Sequence, residues 1–391
     1  MAISSKVHDH MSRASWIRRM FEEGNDLKAR LGAENVFDFT LGNPVMEPPI
    51  ELVDTLRRLT ADPEVGAHRY MPNAGYPEVR AKVAAALAAE AGIPIEARHL
   101  VMTVGAACGL NITLKALLDP GDEVLILAPY FVEYIFYADN HGGVPKVVET
   151  DAGFLPDPAA IDAAIGPRTK VLILNSPNNP TGVVYPRPLL EELAATLERA
   201  EARVGHPIYV ISDEPYRKIS YGDEVVPSLA IFRNGILCTS HSKDLALAGE
   251  RIGVAAVHPD ADGGDALVAA MTFAIRILGF VNAPALMQRA VADLQHVTVD
   301  VGEYRRNRDL LLGALRDTGL ECNEPGGAFY LFPRCPVDDD VAFIRRLQEH
   351  RLLAVPGSGF GRGGYFRLSY CVDREMIERA LPALRRAVEE S

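Results

Sequence analysis

The sequence predicts an α/β fold in which a mostly parallel β-sheet is flanked by helices and followed by a smaller α+β domain. Three observations lead to this prediction. Seven short apolar segments between residues 100 and 257 are typical of buried strands, and helical segments such as 189–202 alternate with them. That alternation is characteristic of parallel sheets covered by helices on both faces. The length of 391 residues also exceeds what one hydrophobic core usually supports.

The N-terminal part precedes the first of these strands. Residues 12–31 carry apolar side chains at helical spacing, including Trp16 and Phe21, so we expect a helix that packs on the protein body or on a neighbouring subunit. Residues 36–40 alternate like a short strand and run into a turn at Gly42. Glycine at such a turn lets a ligand approach the backbone, although an ordinary turn glycine is the simpler interpretation.

Two helices are predicted next, at residues 51–59 and from Pro77 to about residue 91. Between them, residues 68–78 show no periodicity, contain many turn formers and include Tyr70. Extended polar and aromatic loops of this kind are often functional.

The sheet follows. Its predicted strands cover residues 100–104, 123–127, 144–149, 170–174, 208–211, 235–239 and 254–257. Polar clusters lie at the carboxyl ends of these strands, which is the edge where open α/β sheets bind their ligands. We therefore expect four residues that are far apart in the sequence to converge on one site, namely Phe131, Asn179, Asp213 and Lys243.

A turn of small residues connects the first of these strands to a helix predicted at 110–118. It contains Gly105, Ala106 and Ala107. Free N–H groups and the positive dipole end of a helix N-terminus favour an anion there. Alone this is a weak indication, because many α/β proteins use small residues at such a turn for close packing.

After residue 285 the pattern changes to that of an α+β domain. One or two long helices are predicted at 286–315, with shorter helices at 341–350 and 374–388 and strands at 327–332 and 365–369. We place an N-terminal segment at 1–45, which contributes to the small domain or a dimer interface, a large domain at 46–285 and a small domain at 286–391. The glycine-rich turn at 355–361 does not open a helix within a βαβ unit, so it does not indicate dinucleotide binding.

Composition excludes several classes of protein. The net charge of −12 argues against nucleic acid as the main partner. The five cysteines are scattered without a CxxC pair, which favours reduced thiols in the cytoplasm over disulfides or a metal site. Residues 1–11 lack the apolar core of a signal peptide, and we find no apolar run long enough for a membrane span.

The stretch 240–253 carries the most specific chemistry. It places Lys243 next to Ser240 and Ser242, with Arg251 framed by glycines. A lysine amine can form a Schiff base with an aldehyde, while serine hydroxyls and an arginine fork bind phosphate. Pyridoxal phosphate carries both an aldehyde and a phosphate. The alternative is a surface loop with an ordinary lysine, and residues elsewhere in the chain have to decide between the two.

Four motifs between residues 179 and 369 support the first interpretation. They are N-P-T-G at 179–182, D-x-P-Y at 213–216, S-x-S-K-x5-G-x-R-x-G at 240–253 and F-R-L-S at 366–369. In this order and near this spacing, they resemble the class I/II pyridoxal-phosphate-dependent aminotransferases of fold type I. The resemblance implies a large domain built on a mostly parallel seven-stranded sheet, and a smaller α+β domain.

The resemblance also implies roles for individual residues around the cofactor. Lys243 would hold pyridoxal 5′-phosphate and then, as general base and acid, move the proton between the substrate Cα and the cofactor's C4′. Asp213 would keep the pyridine nitrogen protonated. Without the resemblance, the simpler interpretation of this residue is an aspartate that caps a helix or a turn. Tyr216 and Asn179 would form hydrogen bonds with the 3-oxygen of the cofactor ring, and Phe131 would stack on the face of that ring.

Further roles concern the phosphate, the substrate and the assembly. The phosphate would contact Ser240, Ser242, Arg251 and the backbone of Gly105, Ala106 and Ala107. Arg367 would clamp the substrate α-carboxylate, assisted by Gly42 and Asn179, unless it is a strand arginine on a solvated face. Tyr70 resembles the tyrosine that reaches the phosphate in the neighbouring subunit, which implies a homodimer with shared sites.

The substrate is less clearly indicated than the reaction. Ala107 stands where some bacterial aspartate aminotransferases have a lysine that recognises the distal carboxylate, and neither Arg69 nor Arg276 is singled out as a substitute. We expect an aspartate aminotransferase-like enzyme with glutamate and 2-oxoglutarate as one pair. A β-lyase, decarboxylase or racemase on the same scaffold stays open, since fold alone does not separate them. A non-catalytic regulator fits less well, because we see no DNA-binding domain before Ser12 and Lys243, Asp213 and Arg367 are intact.

Overall fold

The computed structural model describes residues 2–391, without the side chains of residues 12–21. The helix expected at 12–31 is present and begins earlier, at Ser5, whereas the apolar face predicted at Trp16 and Phe21 lies outside the described side chains. No helix in the described part of the chain is long and apolar enough to cross a membrane.

The helices and strands alternate as the sequence predicts. The helices are α1 Ser5–Leu31, α2 Ile50–Ala61, α3 Pro77–Ala91, α4 Ala106–Leu117, α5 Glu133–Asn140, α6 Pro158–Ala164, α7 Arg187–Val204, α8 Gly264–Ile277, α9 Ala285–Val291, α10 Val301–Asp317, α11 Asp340–Glu349 and α12 Arg374–Glu389. The strands are β1 Phe37–Asp38, β2 Leu100–Thr103, β3 Glu123–Ala128, β4 Val144–Glu149, β5 Thr169–Asn175, β6 Tyr209–Asp213, β7 Gly235–Ser240, β8 Gly253–Val257, β9 Tyr330–Leu331, β10 Leu352–Leu353, β11 Val355–Pro356 and β12 Phe366–Ser369.

The main sheet has, within residues 2–391, seven strands in the order β2-β8-β7-β6-β5-β3-β4. Strands β7, β6, β5, β3 and β4 are parallel to one another, whereas β8 is antiparallel to both of its neighbours, β2 and β7. The predicted mostly parallel seven-stranded sheet is therefore confirmed.

The central strands are apolar on both faces because helices cover both sides of the sheet. In β5, Val171 and Ile173 pack into one buried cluster, while Leu172 and Leu174 pack into another. Alternate side chains of a strand point to opposite faces, so such a strand needs a core on each side. This burial leaves the strand ends as the place where polar side chains can gather.

Two small sheets involve the ends of the chain. Strands β11, β12 and β9 form an antiparallel sheet, in which Val355 lies opposite Arg367. Strand β1 pairs in parallel with β10, joining Phe37 to Leu352. The N-terminal segment is thereby attached to the C-terminal part of the molecule, although the domain boundaries at 45 and 285 stay predictions.

Several elements differ from the prediction. The strand expected at 327–332 shortens to Tyr330–Leu331, because Gly327 forms an isolated bridge with Ser220 and Ala328 has a φ of 55°. Helix α4 begins at Ala106, inside the turn of small residues. Those residues allow close approach to the sheet, since a Cβ on Gly109 would lie 3.2 Å from the Cys238 sulfur. Helices α5, α6 and α8 were not predicted.

Substitution of Ile211 by alanine should destabilise the protein. Ile211 is fully buried in β6, and removing a buried isoleucine side chain costs roughly 2–5 kcal/mol. A lower urea midpoint of unfolding would report this loss. The control is Val65→Ala, whose side chain is 98% exposed and should change stability by about 0.5 kcal/mol or less. Equal midpoints for the two variants would contradict the burial of β6.

Candidate active site

The carboxyl ends of the parallel strands surround a cavity of about 450 Å³. Phe131 follows β3, Asn179 follows β5, Asp213 ends β6 and Lys243 follows β7, and all four line this cavity. The predicted site residues that line it are Gly42, Ala106, Ala107, Phe131, Asn179, Asp213, Tyr216, Ser240, Ser242, Lys243, Arg251 and Arg367. Residues separated by hundreds of positions are thus brought together.

Two predicted residues lie outside the lining. Gly105 lies against Arg251, which is a lining residue, and a Cβ on Gly105 would clash with the Arg251 guanidinium. Tyr70 does not line the cavity, and its side chain is 90% exposed. Within one chain, therefore, Tyr70 is not brought to the site.

Lys243 supplies an amine of lowered basicity. Its Nζ donates a hydrogen bond to the Gly42 carbonyl oxygen at 2.5 Å and lies 5.5 Å from the centroid of the Phe329 ring. Burial lowers the pKa of Lys243 to about 8, and the charges of Arg367 and Arg251 act in the same direction. A substantial fraction of this amine is therefore neutral, and nucleophilic, at mildly alkaline pH.

Gly42 is needed for this arrangement. A side chain at this position would clash with the Tyr330 hydroxyl, which lies directly against the Gly42 backbone. The close approach explains why the turn after β1 carries glycine rather than another turn residue.

Asp213 lines the cavity and carries a buried acceptor that has no donor. Its Oδ2 accepts a hydrogen bond from the Tyr134 hydroxyl at 2.6 Å, while Oδ1 is buried and no described residue donates to it. Burial raises the pKa of Asp213 to about 7, and the bond from Tyr134 opposes that rise. A cationic N–H group at Oδ1 would satisfy the oxygen and favour the charged carboxylate.

Arg367 presents a positive charge that is held by neutral acceptors. Its Nη1 donates to Asn179 Oδ1 at 2.9 Å and its Nη2 to the Thr40 carbonyl oxygen at 2.5 Å. The guanidinium carbon lies 4.7 Å from the ring centroids of both Tyr330 and Phe360. Burial lowers the pKa of Arg367, yet among the described residues no carboxylate pairs with it and its Nε is buried without a partner. A carboxylate ligand would meet these needs.

A second set of donors suited to an anion also lines the cavity. The Ser240 hydroxyl donates to the Ser242 hydroxyl at 3.1 Å, and both line the cavity beside the first turn of α4. Arg251 Nη1 donates to the Ala248 carbonyl oxygen at 3.0 Å. Two hydroxyls, a guanidinium and the free N–H groups of a helix N-terminus form a donor set suited to phosphate.

The structure adds site residues that the sequence did not single out. The Tyr330 hydroxyl lies 2.8 Å from the Tyr216 hydroxyl, and Tyr134 bonds Asp213. Both tyrosines are almost fully buried, so their sequence signal is that of ordinary core aromatics. Glu133, the first residue of α5, also lines the cavity.

Residues 34–384 match the family model described as aminotransferase class I and II. The chain is 36% identical over 369 residues to the aspartate/prephenate aminotransferase of Thermus thermophilus, covering 93% of each protein.

Solved structures agree with this assignment. The fold matches the crystal structure of an amino transferase from Eubacterium rectale with a TM-score of 0.95 at 39% identity, over 100% of this chain and 99% of that one. It also matches the Thermus thermophilus aspartate aminotransferase with maleate, with a TM-score of 0.84 at 32% identity, over 94% and 95% of the two chains. The chain therefore belongs to the class I and II aminotransferase family.

Proposed function

We propose that this chain binds pyridoxal 5′-phosphate and uses it to move an amino group between an L-amino acid and a 2-oxo acid. The observation that carries the proposal is the placement of the Lys243 amine in one cavity with Asp213 and with two anion-binding regions. A cofactor with an aldehyde, a basic ring nitrogen and a phosphate uses three of these features. The fourth, around Arg367, suits the carboxylate shared by all amino acid substrates.

The donor set fits the cofactor residue by residue. Ser240, Ser242, Arg251 and the backbone of Gly105, Ala106 and Ala107 would hold the phosphate. Asp213 Oδ1, the buried oxygen without a donor, would face the protonated ring nitrogen. Phe131 would cover the ring, while Tyr216 and Asn179 would bond its oxygen. These assignments are proposals for this chain, supported by the geometry above.

Bound pyridoxal phosphate supplies an aldehyde for the substrate amine and a ring that accepts the electron pair left when the Cα–H bond breaks. The chain positions the substrate and moves the proton. Arg367, fixed by Asn179 and Thr40, would hold the α-carboxylate and so orient the Cα–H bond. Lys243 Nζ, neutral at mildly alkaline pH, would take the proton from the substrate Cα and deliver it to the C4′ position of the cofactor.

We also propose glutamate and 2-oxoglutarate as one substrate pair, and a homodimeric, cytoplasmic protein. The relatives named aspartate aminotransferase, one of them solved with maleate, support a dicarboxylic amino acid as one accepted substrate. The exposed Tyr70 ring supports a role for a second copy of the chain, whose site it would reach. The scattered cysteines, which form no disulfide among the described residues, fit a reducing compartment.

The protein loaded with pyridoxal phosphate should convert its bound aldehyde to the amine form when mixed with a single amino acid. One equivalent of the 2-oxo acid should appear, because the amino group stays on the cofactor. The measurement is a stopped-flow absorption trace together with quantification of the oxo acid. Recovery of the starting spectrum while ammonia, pyruvate or carbon dioxide accumulates would instead indicate a lyase or decarboxylase.

Replacement of Asp213 by asparagine should slow this half-reaction by about 10²–10³-fold, because the ring nitrogen loses its charged partner. Cofactor binding, followed by absorption, should persist since the phosphate contacts are unchanged. The matched control is Glu214→Gln. Glu214 is a buried neighbouring carboxylate that accepts from the Ser212 hydroxyl at 2.8 Å and does not line the cavity. A D213N protein as fast as E214Q would contradict the role of Asp213.

The lowered pKa of Lys243 predicts how its amine reacts in the protein freed of cofactor. Burial disfavours the charged form, so half of the amine is neutral near pH 8. Reductive methylation of Lys243, measured by mass spectrometry of its peptide, should rise through pH 8 and level off by about pH 9.5, whereas free Nα-acetyl-lysine keeps rising towards its pKa of about 10.4. Identical pH profiles for the two amines would rule out the lowered pKa.

A further inference from the structure

Glu133 is a carboxylate in the cavity for which the proposed reaction has no use. It is the first residue of α5, its side chain is partly buried, and it lines the cavity. Among the described residues, no hydrogen bond or ion pair engages this carboxylate. Burial raises the pKa of Glu133, as expected of a carboxyl group with little solvent and no cationic neighbour.

Each lysine and arginine of the cavity lining already has a role in the proposed function. Lys243, Arg251 and Arg367 are the lysines and arginines that line it within the described chain. In the proposed function the first two serve the cofactor, and Arg367 serves the α-carboxylate. No further lysine or arginine of the described lining remains for a carboxylate at the far end of a substrate side chain.

The rest of the lining is mostly apolar. The lining residues not assigned to the cofactor or to the α-carboxylate include the apolar Leu41, Val132 and Val355, and they also include Glu133. A substrate side chain would therefore meet an apolar surface with one acidic group. A terminal carboxylate would be placed near a like charge in a poorly solvated site, whereas a terminal amide or ammonium could donate a hydrogen bond to Glu133.

We propose that Glu133 makes this cavity select against substrates whose side chains end in a carboxylate and in favour of those that end in a neutral or cationic hydrogen-bond donor. This inference rests on the proposed transamination and concerns its substrate class. The proposed preference differs from the substrate that appears in the names of the aspartate aminotransferase relatives. Glutamate would still react, but less favourably than glutamine, which has the same size.

The test compares two unreactive probes of nearly equal shape, glutarate and its monoamide, in the protein loaded with pyridoxal phosphate. Their dissociation constants are measured by calorimetry, so the readout does not require turnover. We expect the wild-type protein to prefer the monoamide. The variant Glu133→Gln should shift the ratio of the two constants about tenfold towards glutarate, because the repulsion between two carboxylates is removed. The glutamate-to-glutamine ratio of half-reaction rates should shift in the same direction.

The control is Glu375→Gln, which removes another carboxylate from the first turn of a helix. Glu375 is exposed at the start of α12 and does not line the cavity, so neither ratio should change. If E133Q leaves both ratios unchanged while the half-reaction proceeds, the inference about Glu133 is wrong and the proposed function stands. If neither probe binds and no amino acid converts the cofactor, the proposed function itself fails.

Discussion

The burial of opposite charges around one cavity is the constraint on which the rest of the structure depends. Asp213 and Arg367 are buried and Lys243 is partly buried, although water solvates charged groups far better than a protein interior does. Each is held by a neutral partner: Tyr134 for Asp213, the Gly42 carbonyl for Lys243, and Asn179 with the Thr40 carbonyl for Arg367. Burial raises the pKa of Asp213 to about 7 and lowers the pKa of Lys243 to about 8, so both values come close to neutral pH.

This constraint explains why the site needs so much of the chain. Asp213 ends β6 and Lys243 follows β7, and these neighbouring strands are parallel, so their carboxyl ends lie side by side. Arg367 comes from a separate antiparallel sheet and is held by Thr40, which follows β1. Strand β1 is in turn fixed by its parallel pairing with β10. The ends of the chain therefore complete a site that the central sheet begins.

Neutral partners also determine what the site can bind. An arginine paired with a protein carboxylate would have little charge left for a ligand, whereas amide and carbonyl oxygens leave the full charge available. The aromatic rings of Tyr330 and Phe360 pack against the Arg367 guanidinium and limit its movement. The small residues at the start of α4, which also line the cavity, leave room for an anion at the helix N-terminus. The cavity therefore combines two groups of anion-binding donors with the amine of Lys243.

The sequence by itself determined the sheet, most helices and the residues at the strand ends, because periodicity, glycine turns and short motifs are local signals. It did not indicate that β8 runs antiparallel, that helices α5, α6 and α8 form, or that Tyr134, Tyr330 and Glu133 face the cavity. Side-chain direction depends on strand register and on packing against distant residues, as in the contact between Tyr330 and Tyr216, 114 positions apart. Tertiary structure also placed Tyr70 outside the cavity of its own chain, since the loop that carries it leaves the side chain exposed at the surface.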